Sequence, residues 1–391
     1  VSVEVISLGC RMNLAESEGL RAMLAGSSDL VVVNSCAVTA EALRNTRQAI
    51  RRARRARPAA RLLVTGCAAE TDRAAIAAMP EVDGLVANQT KLDPRVWNTP
   101  APQPAPRATA HTRAFVVVQN GCDHACTFCI IPQGRGASRS QPLAAVIEEV
   151  SRLADAGVAE AVLTGVDLTS WGHDLPGAPT LGTLVAAILA AAPALPRLRL
   201  SSLDGAEIDA GLEGLLASEP RVMPHLHLSL QHGHDLILKR MKRRHCRADA
   251  LALVSRLRGR RPEIAIGADL IAGFPTESAE HHAANLSIIG ELGVVHGHVF
   301  PFSGRPGTPA ARMPQLPAPI IAARAAELRA AIAEQRGRWL SAQLGQPLEV
   351  LAERDGTGHA PNFARVRLPA GTPAGTVITV TPQRIVEGML E

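Results

Sequence analysis

Three β-branched runs near the start of the chain each end in a cysteine, and each is followed by a stretch with helical period. VSVEVISLGC ends at Cys10, LVVVNSC at Cys36 and RLLVTGC at Cys67. Short apolar strands alternating with helices assemble as a parallel α/β sheet. Sites in such sheets form beyond the carboxyl ends of the strands. Three thiols far apart in sequence are therefore expected at one edge of one sheet. One cysteine at a strand end is commonly just a small buried side chain; the threefold repetition singles these out.

The alternation resumes after NTPAPQPAPRATAHTR, residues 98–113, whose prolines and lack of periodicity read as a semi-extended linker. Strand-like runs follow at 115–119, 161–165, 197–202, 225–230, 264–274 and 294–302, with helical stretches between them. This pattern predicts a partial or complete (β/α) barrel. Residues 320–344 have helical period. The tail from 346 to 391 alternates apolar and polar residues between Gly and Pro, which predicts a small antiparallel β-barrel. The expected division is 1–97, a linker at 98–113, 114–335 and 336–391.

Directly after the first strand of the second segment stands Cys122-x3-Cys126-x2-Cys129. Three thiolates on one tight loop can hold three irons of a [4Fe–4S] cluster and leave the fourth open to a small molecule. The competing reading is a structural zinc knuckle completed by His124 or a distant His. Such sites usually pair two short Cys motifs, and no second C-x2-C exists here, so the spacing favours iron–sulfur. Seven cysteines without an export signal point the same way, to metal ligation in a reducing compartment, and cytosol is the expected location. No apolar run approaches the ~18 residues of a membrane span.

The net charge of +5 fits a polyanionic partner. With no Tyr, six Phe and three Trp, stacked aromatic platforms cannot dominate nucleic-acid binding, which would rest on phosphate charge and shape.

The Cys122/Cys126/Cys129 spacing resembles that of radical S-adenosylmethionine (SAM) enzymes. With SLGCRMNLAESE, NSCAVTAEALRNTRQAIRRARR, TGCAAE, LTGVDLTSWG, LRLSSLDGAEID, HLHLSLQHGHDLILKRMKRR, GADLIAGFPTE and HVFPFSGRPGTPAARM, the chain is similar over nearly its whole length to the radical SAM methylthiotransferase family. NSCAVTAE with its Arg-rich helix, and HVFPFS with RPGTPAARM, are closest to the branch acting on tRNA N6-threonylcarbamoyladenosine. The resemblance implies two [4Fe–4S] clusters, an auxiliary one on Cys10, Cys36 and Cys67 and a SAM-binding one on Cys122, Cys126 and Cys129. It implies a TRAM-like tRNA-binding tail, the anticodon stem–loop as partner and an electron donor such as flavodoxin or ferredoxin. One SAM would methylate sulfur at the auxiliary cluster; a second would yield the radical that removes hydrogen from C2 of the adenine beside the anticodon. No acid–base residue is expected. Alternatives are the same chemistry on isopentenyladenosine or on a ribosomal-protein aspartate, or a non-catalytic zinc protein that binds RNA.

The resemblance places SAM near Thr164, Gly165 and Val166 and near Gly273, Phe274, Pro275 and Phe300; Ser201, Ser202 and Gln231, at later strand ends where they can face the barrel interior, are further candidates. As structure alone, these glycines would be turn residues and these Phe core. Arg44, Arg47, Arg51, Arg54 and Arg55 fall near one helical face with no Asp or Glu between Arg44 and Arg61, so intrahelical pairing cannot neutralise them. They are candidates for tRNA phosphate, as are Lys239, Arg240, Lys242 and Arg243, against the ordinary alternative of a solvated face. Cys246 is expected to be a bystander thiol, and His281 and His282 exposed helix residues.

Overall fold

The computed structural model describes residues 3–98 and 112–391; the expected linker lies outside these apart from Asn98, Thr112 and Arg113. The contacts divide the chain into two compact units. One combines the N-terminal segment with Gln119–Arg139 and Ser303–Ala311; the other holds residues 112–118, Ser140–Phe302 and Arg312–Glu391.

The first unit is built on β1 (Glu4–Ser7), β2 (Leu30–Ser35), β3 (Arg61–Gly66) and β4 (Gly84–Leu85), parallel and in that order. Its crossovers are α1 (Arg11–Met23), α2 (Ala40–Ala56), and the short α3 (Cys67–Thr71) and α4 (Arg73–Ala77). Val31, Val33, Leu62 and Val64 pack on Leu43, Ile50 and Ala53 of α2, while Val5, Val32 and Leu63 pack with Leu20 and Met23 of α1. Both sheet faces are covered, which explains why the strands read as continuous apolar runs. Thr39 caps α2, its side chain accepting from Ala42 N–H at 3.0 Å.

The second unit contains six parallel strands where the sequence predicts them: Ala114–Val117, Glu160–Thr164, Arg197–Leu200, His225–Gln231, Ala265–Ala272 and Val294–Pro301. They form two three-stranded sheets, joined by single parallel bridges at Leu198–Val222 and Leu203–Leu228. Among the described residues no ladder joins the first strand to the last, so the barrel is partial. Leu198, Leu200, Leu226, Leu228, Ile266, Ala268 and Leu270 form one core with the outer helices. Because strand side chains alternate between faces, Glu160, Arg199, His225, His227, Asp269 and their like occupy the inner face.

The C-terminal segment forms the small, largely antiparallel β unit that the sequence predicts. Its six strands are mixed: the strand pair Arg365–Arg367 and Met389–Leu390 is parallel, through Val366 and Leu390. Its Phe363, at φ +70°, reaches the inner ends of the barrel strands. The ring lies 5.0 Å from the His225 ring, 5.6 Å from His296 and 4.4 Å from His359, and the Arg199 guanidinium stands over it at 4.8 Å. Arg199 also holds buried Glu160 through Nε at 2.7 Å and donates to Pro361 O at 3.0 Å.

Candidate metal and radical centre

The register of the first sheet sets out the first thiol group. Ser7 pairs with Asn34 and Ser35 with Gly66, so Cys36 and Cys67 leave adjacent strands at the same level and Cys10 leaves β1 just beyond. Gly9 and Gly66 precede two of the cysteines at φ +92° and +89°. A Cβ on Gly9 would sit 2.7 Å from Cys36 Sγ, and one on Gly66 would sit 2.4 Å from Ser35 O. Only glycine allows both the left-handed turn and the close approach. Cys36 and Cys67 are buried and Cys10 is exposed. Burial, with a smaller push from Cys67 and Cys10, raises the Cys36 thiol to about 11, against the opposing pull of the Val38 backbone and Arg135. Burial likewise raises Cys67, against the opposing pull of Arg135. Three soft sulfur donors near enough to feel one another, with a cation beside them, suit a metal cluster that holds them as thiolates.

Arg135 ends the short helix α5 (Ile131–Arg135), which follows Cys129. It enters a buried ion network that the sequence did not reveal. Arg135 Nη1 donates to Glu16 Oε1 at 2.9 Å and to Asn120 Oδ1 at 2.9 Å. Its Nη2 donates to Asn13 Oδ1 at 2.5 Å and to Glu16 Oε2 at 3.2 Å. Lys91 Nζ donates to Glu16 Oε2 at 2.6 Å and to Asn34 Oδ1 at 3.0 Å. All three charged side chains are 2% exposed. Burial alone would raise the Glu16 pKa, but Arg135 and Lys91 outweigh it and hold the carboxyl below its usual range. Two cations around one carboxylate leave one positive charge to offset thiolates. Asn88 joins the group, donating to Gly134 O at 2.6 Å with its Nδ2 4.0 Å from Cys67 Sγ.

The loop Cys122–Cys129 belongs to the same compact unit. Cys122 N–H donates to Gly136 O at 3.1 Å and Cys129 N–H to Cys126 O at 3.2 Å, closing the loop. His124 N–H points at Cys122 Sγ and Ile131 N–H at Cys129 Sγ, each at 3.4 Å. Amide donors aimed at sulfur stabilise thiolates and tune a bound cluster. The donor set fits an iron–sulfur cluster held by three sulfurs.

The proposed SAM contacts differ in environment. Ser201 Oγ is buried without a hydrogen-bond partner at a strand's carboxyl end, as a ligand-binding hydroxyl would be. Thr164 is buried and bonds back to Val162 O at 3.2 Å. Gly165, Val166, Ser202 and Gln231 are half-buried; Gln231 has φ +67° and Gly273 φ +71°. Phe274 is fully buried, edge-on to Phe302 at 5.5 Å, and Pro275 is buried beside it. Phe300 is 38% exposed.

The basic groups also divide. Arg44, Arg51 and Arg55 are exposed and Arg47 half-buried. Arg54 turns inward to Asp83 at 2.6 Å and to the carbonyls of Glu81 and Ala60. Neutralisation comes from outside the helix, which a scan along the helix could not show. Lys239 and Lys242 are exposed. Arg243 is drawn to Asp204 at 2.8 Å and Arg240 to Thr276 Oγ1 at 2.8 Å. His282, expected to be exposed, is instead buried, with Nε2 2.8 Å from Glu327; the helix turns it toward the neighbouring helix. Cys246 precedes the helix Arg247–Arg260 and is half-buried.

A parallel βα barrel with a three-cysteine loop after its first strand defines a radical SAM protein. The Radical SAM superfamily matches residues 116–286, and the Uncharacterized protein family UPF0004 matches residues 2–87. The chain belongs to the radical SAM methylthiotransferase family, tRNA-modifying enzymes that use SAM and [4Fe–4S] clusters. It is 41% identical to "Threonylcarbamoyladenosine tRNA methylthiotransferase MtaB" of Rickettsia prowazekii over 99% of this chain and 96% of that protein. It is 35% identical to "tRNA-2-methylthio-N(6)-dimethylallyladenosine synthase" of Cereibacter sphaeroides over 89% of this chain and 86% of that one. Among solved structures it shares a fold with the radical SAM methyltransferase TsrM of Kitasatospora setae. The TM-score is 0.53 at 18% identity, covering 77% of this chain and 69% of that one.

Proposed function

We propose that this enzyme places a methylthio group on C2 of N6-threonylcarbamoyladenosine beside the anticodon of tRNA. The observation that carries the reading is that both cysteine triads lie in one compact unit. Carbon–sulfur bond formation at an unactivated aromatic C–H needs both a radical source and a sulfur site. The clusters and SAM, when bound, supply these.

The protein's own residues do the rest. Cys10, Cys36 and Cys67 hold one cluster, and Cys122, Cys126 and Cys129 the other. Arg135, Glu16 and Lys91 carry compensating charge inside the unit. In the barrel, Ser201 offers an unsatisfied hydroxyl, and Thr164, Gly165, Val166, Ser202, Gln231, Gly273 and Phe300 are the further SAM contacts. Phe363 shuts the end of the barrel away from those strand ends, which helps exclude water from a reactive intermediate. The division at 1–97, 114–335 and 336–391 assigns tRNA grip to the C-terminal β unit, helped by Arg44, Arg47, Arg51 and Arg55. A cytoplasmic location with flavodoxin or ferredoxin as reductant completes the reading; no described helix is long and apolar enough to cross a membrane.

Anaerobic incubation with SAM, dithionite and tRNA, followed by nucleoside mass spectrometry, tests the proposal. Methylthio gain on threonylcarbamoyladenosine is expected. Gain only on isopentenyladenosine, or none with both clusters loaded, overturns it.

A further inference from the structure

The inner face of the last three barrel strands carries a polar cluster that the chemistry above does not use. Its orientation follows from alternation. Leu226, Leu228, Ile266, Ala268 and Leu270 lie in the core beneath the helices, and a Cβ on Gly297 would come within 2.3 Å of Ile332 on the helix Ala318–Ser341. His227, Asp269 and His298 therefore face the other way, into the barrel. Gly267 pairs with both His227 and His296 across adjacent strands, and Asp269 with His298, which brings the three side chains together.

His227 Nε2 lies 3.1 Å and His298 Nδ1 2.9 Å from the same oxygen, Asp269 Oδ1. The two rings are 4.8 Å apart. His227 is packed so closely that a Cβ on Gly267 would lie 2.3 Å from its Nδ1. His227 and Asp269 are 8% and 19% exposed, whereas His298 is 62% exposed. With Nδ1 directed at Asp269, the edge that His298 presents is Nε2. The arginines on the inner face, Arg197 and Arg199, are engaged at its far end with Glu160 and with carbonyls of the C-terminal unit.

We propose that His298, positioned by Asp269 and His227, is the specificity residue for the N6 substituent of the target base, and that it donates from Nε2 to a carboxylate. This rests on the function proposed above and names the part of the substrate that is read. A threonylcarbamoyl group carries a carboxylate, a hydroxyl and a urea; a dimethylallyl group carries only hydrocarbon. A substrate carboxylate arriving at Nε2 while Asp269 holds Nδ1–H favours the doubly protonated ring, because a neutral imidazole bonded in this way has no hydrogen on Nε2, and the bond formed is charge-assisted. Hydrocarbon over the same cluster would remove its water and return nothing.

The test is equilibrium binding of anticodon stem–loops of one sequence to the cluster-loaded protein without reductant, so that no turnover occurs. The loops carry unmodified adenosine, threonylcarbamoyladenosine, its methyl ester or dimethylallyladenosine. The wild type is expected to prefer the free acid over the unmodified loop by about 10- to 100-fold, the worth of one hydrogen bond to a charged group. The ester and the dimethylallyl loop should lose that preference. His298→Phe should abolish it while leaving affinity for the unmodified loop unchanged, and Asp269→Asn should reduce it. A preference that survives in His298→Phe, or equal binding of acid and ester by the wild type, overturns the proposal. Failure to methylthiolate in the turnover assay would instead refute the function and leave this binding ratio readable.

Discussion

Removing the Glu16 charge should damage the first unit more than removing either of its partners. The substitutions are Glu16→Gln, Arg135→Met and Lys91→Met. Glu16 is 2% exposed, between Lys91 Nζ at 2.6 Å and Arg135 Nη1 at 2.9 Å. Formally the network carries one net positive charge. Arg135→Met leaves a neutral Glu16–Lys91 pair, and Lys91→Met a neutral Glu16–Arg135 pair. Glu16→Gln leaves two buried cations without an anion. Breaking a buried pair by removing one member costs about 3–5 kcal/mol, so the single-cation variants should fall at the low end and Glu16→Gln at or above the high end. At about 1.4 kcal/mol per factor of ten, amide exchange in β2 and β3 should quicken by roughly 10²-fold in the former and 10³-fold or more in the latter. Hydrogen exchange read by mass spectrometry on the cluster-free protein measures this, with the barrel strands as internal control. Loading the clusters should narrow the Glu16→Gln deficit, because bound thiolates return negative charge. Equal effects in the three variants, or a Glu16→Gln milder than Arg135→Met, would refute the electrostatic account of the network.

Replacing Cys10, Cys36 and Cys67 together by Ala should halve the iron of the reconstituted protein and leave SAM cleavage measurable; full iron content would show that these thiols hold no cluster. Burial, aided by Arg336, pushes His296 down to about 3 from its ordinary 6.5. Below pH 6.5 the unfolded chain takes up a proton that the folded one refuses, so this residue's share of stability is whole above pH 6.5 and drains away as pH falls toward about 3. His296→Phe should flatten denaturant midpoints over that interval relative to wild type; an unchanged slope would contradict the assignment. Ala at Arg44, Arg47, Arg51 and Arg55 should weaken tRNA binding and reduce the slope of log affinity against log salt by up to about 0.9 per lost contact. The same change at inward-turned Arg54 should cost stability, and an unaltered salt slope in the fourfold variant would remove the helix from the interface.

Much of this protein could be read without coordinates because its signals are local. A run with three consecutive Val such as Leu30–Ser35 declares a strand, and the spacing of Cys122, Cys126 and Cys129 marks a candidate cluster loop. The repeated strand–Cys–helix unit even forecast which edge of the sheet the first thiols share, since parallel strands bring their carboxyl ends together. The HLHLSL and HGHVF runs held a further clue: His at alternate positions of a strand share a face. That His227 and His298 share Asp269 depends on register across three strands, which no single run displays.

What the fold alone decided are contacts between residues far apart in the chain. Lys91 meets Glu16 across 75 positions and Arg135 meets it across 119. The loop after the first barrel strand joins the compact unit of the N-terminal sheet rather than the strands on either side of it. Residue type and periodicity determine which face is apolar and where a chain must turn, because those depend on near neighbours. Which buried charges neutralise one another depends on how strands and loops stack, and that is settled only when the whole sheet forms.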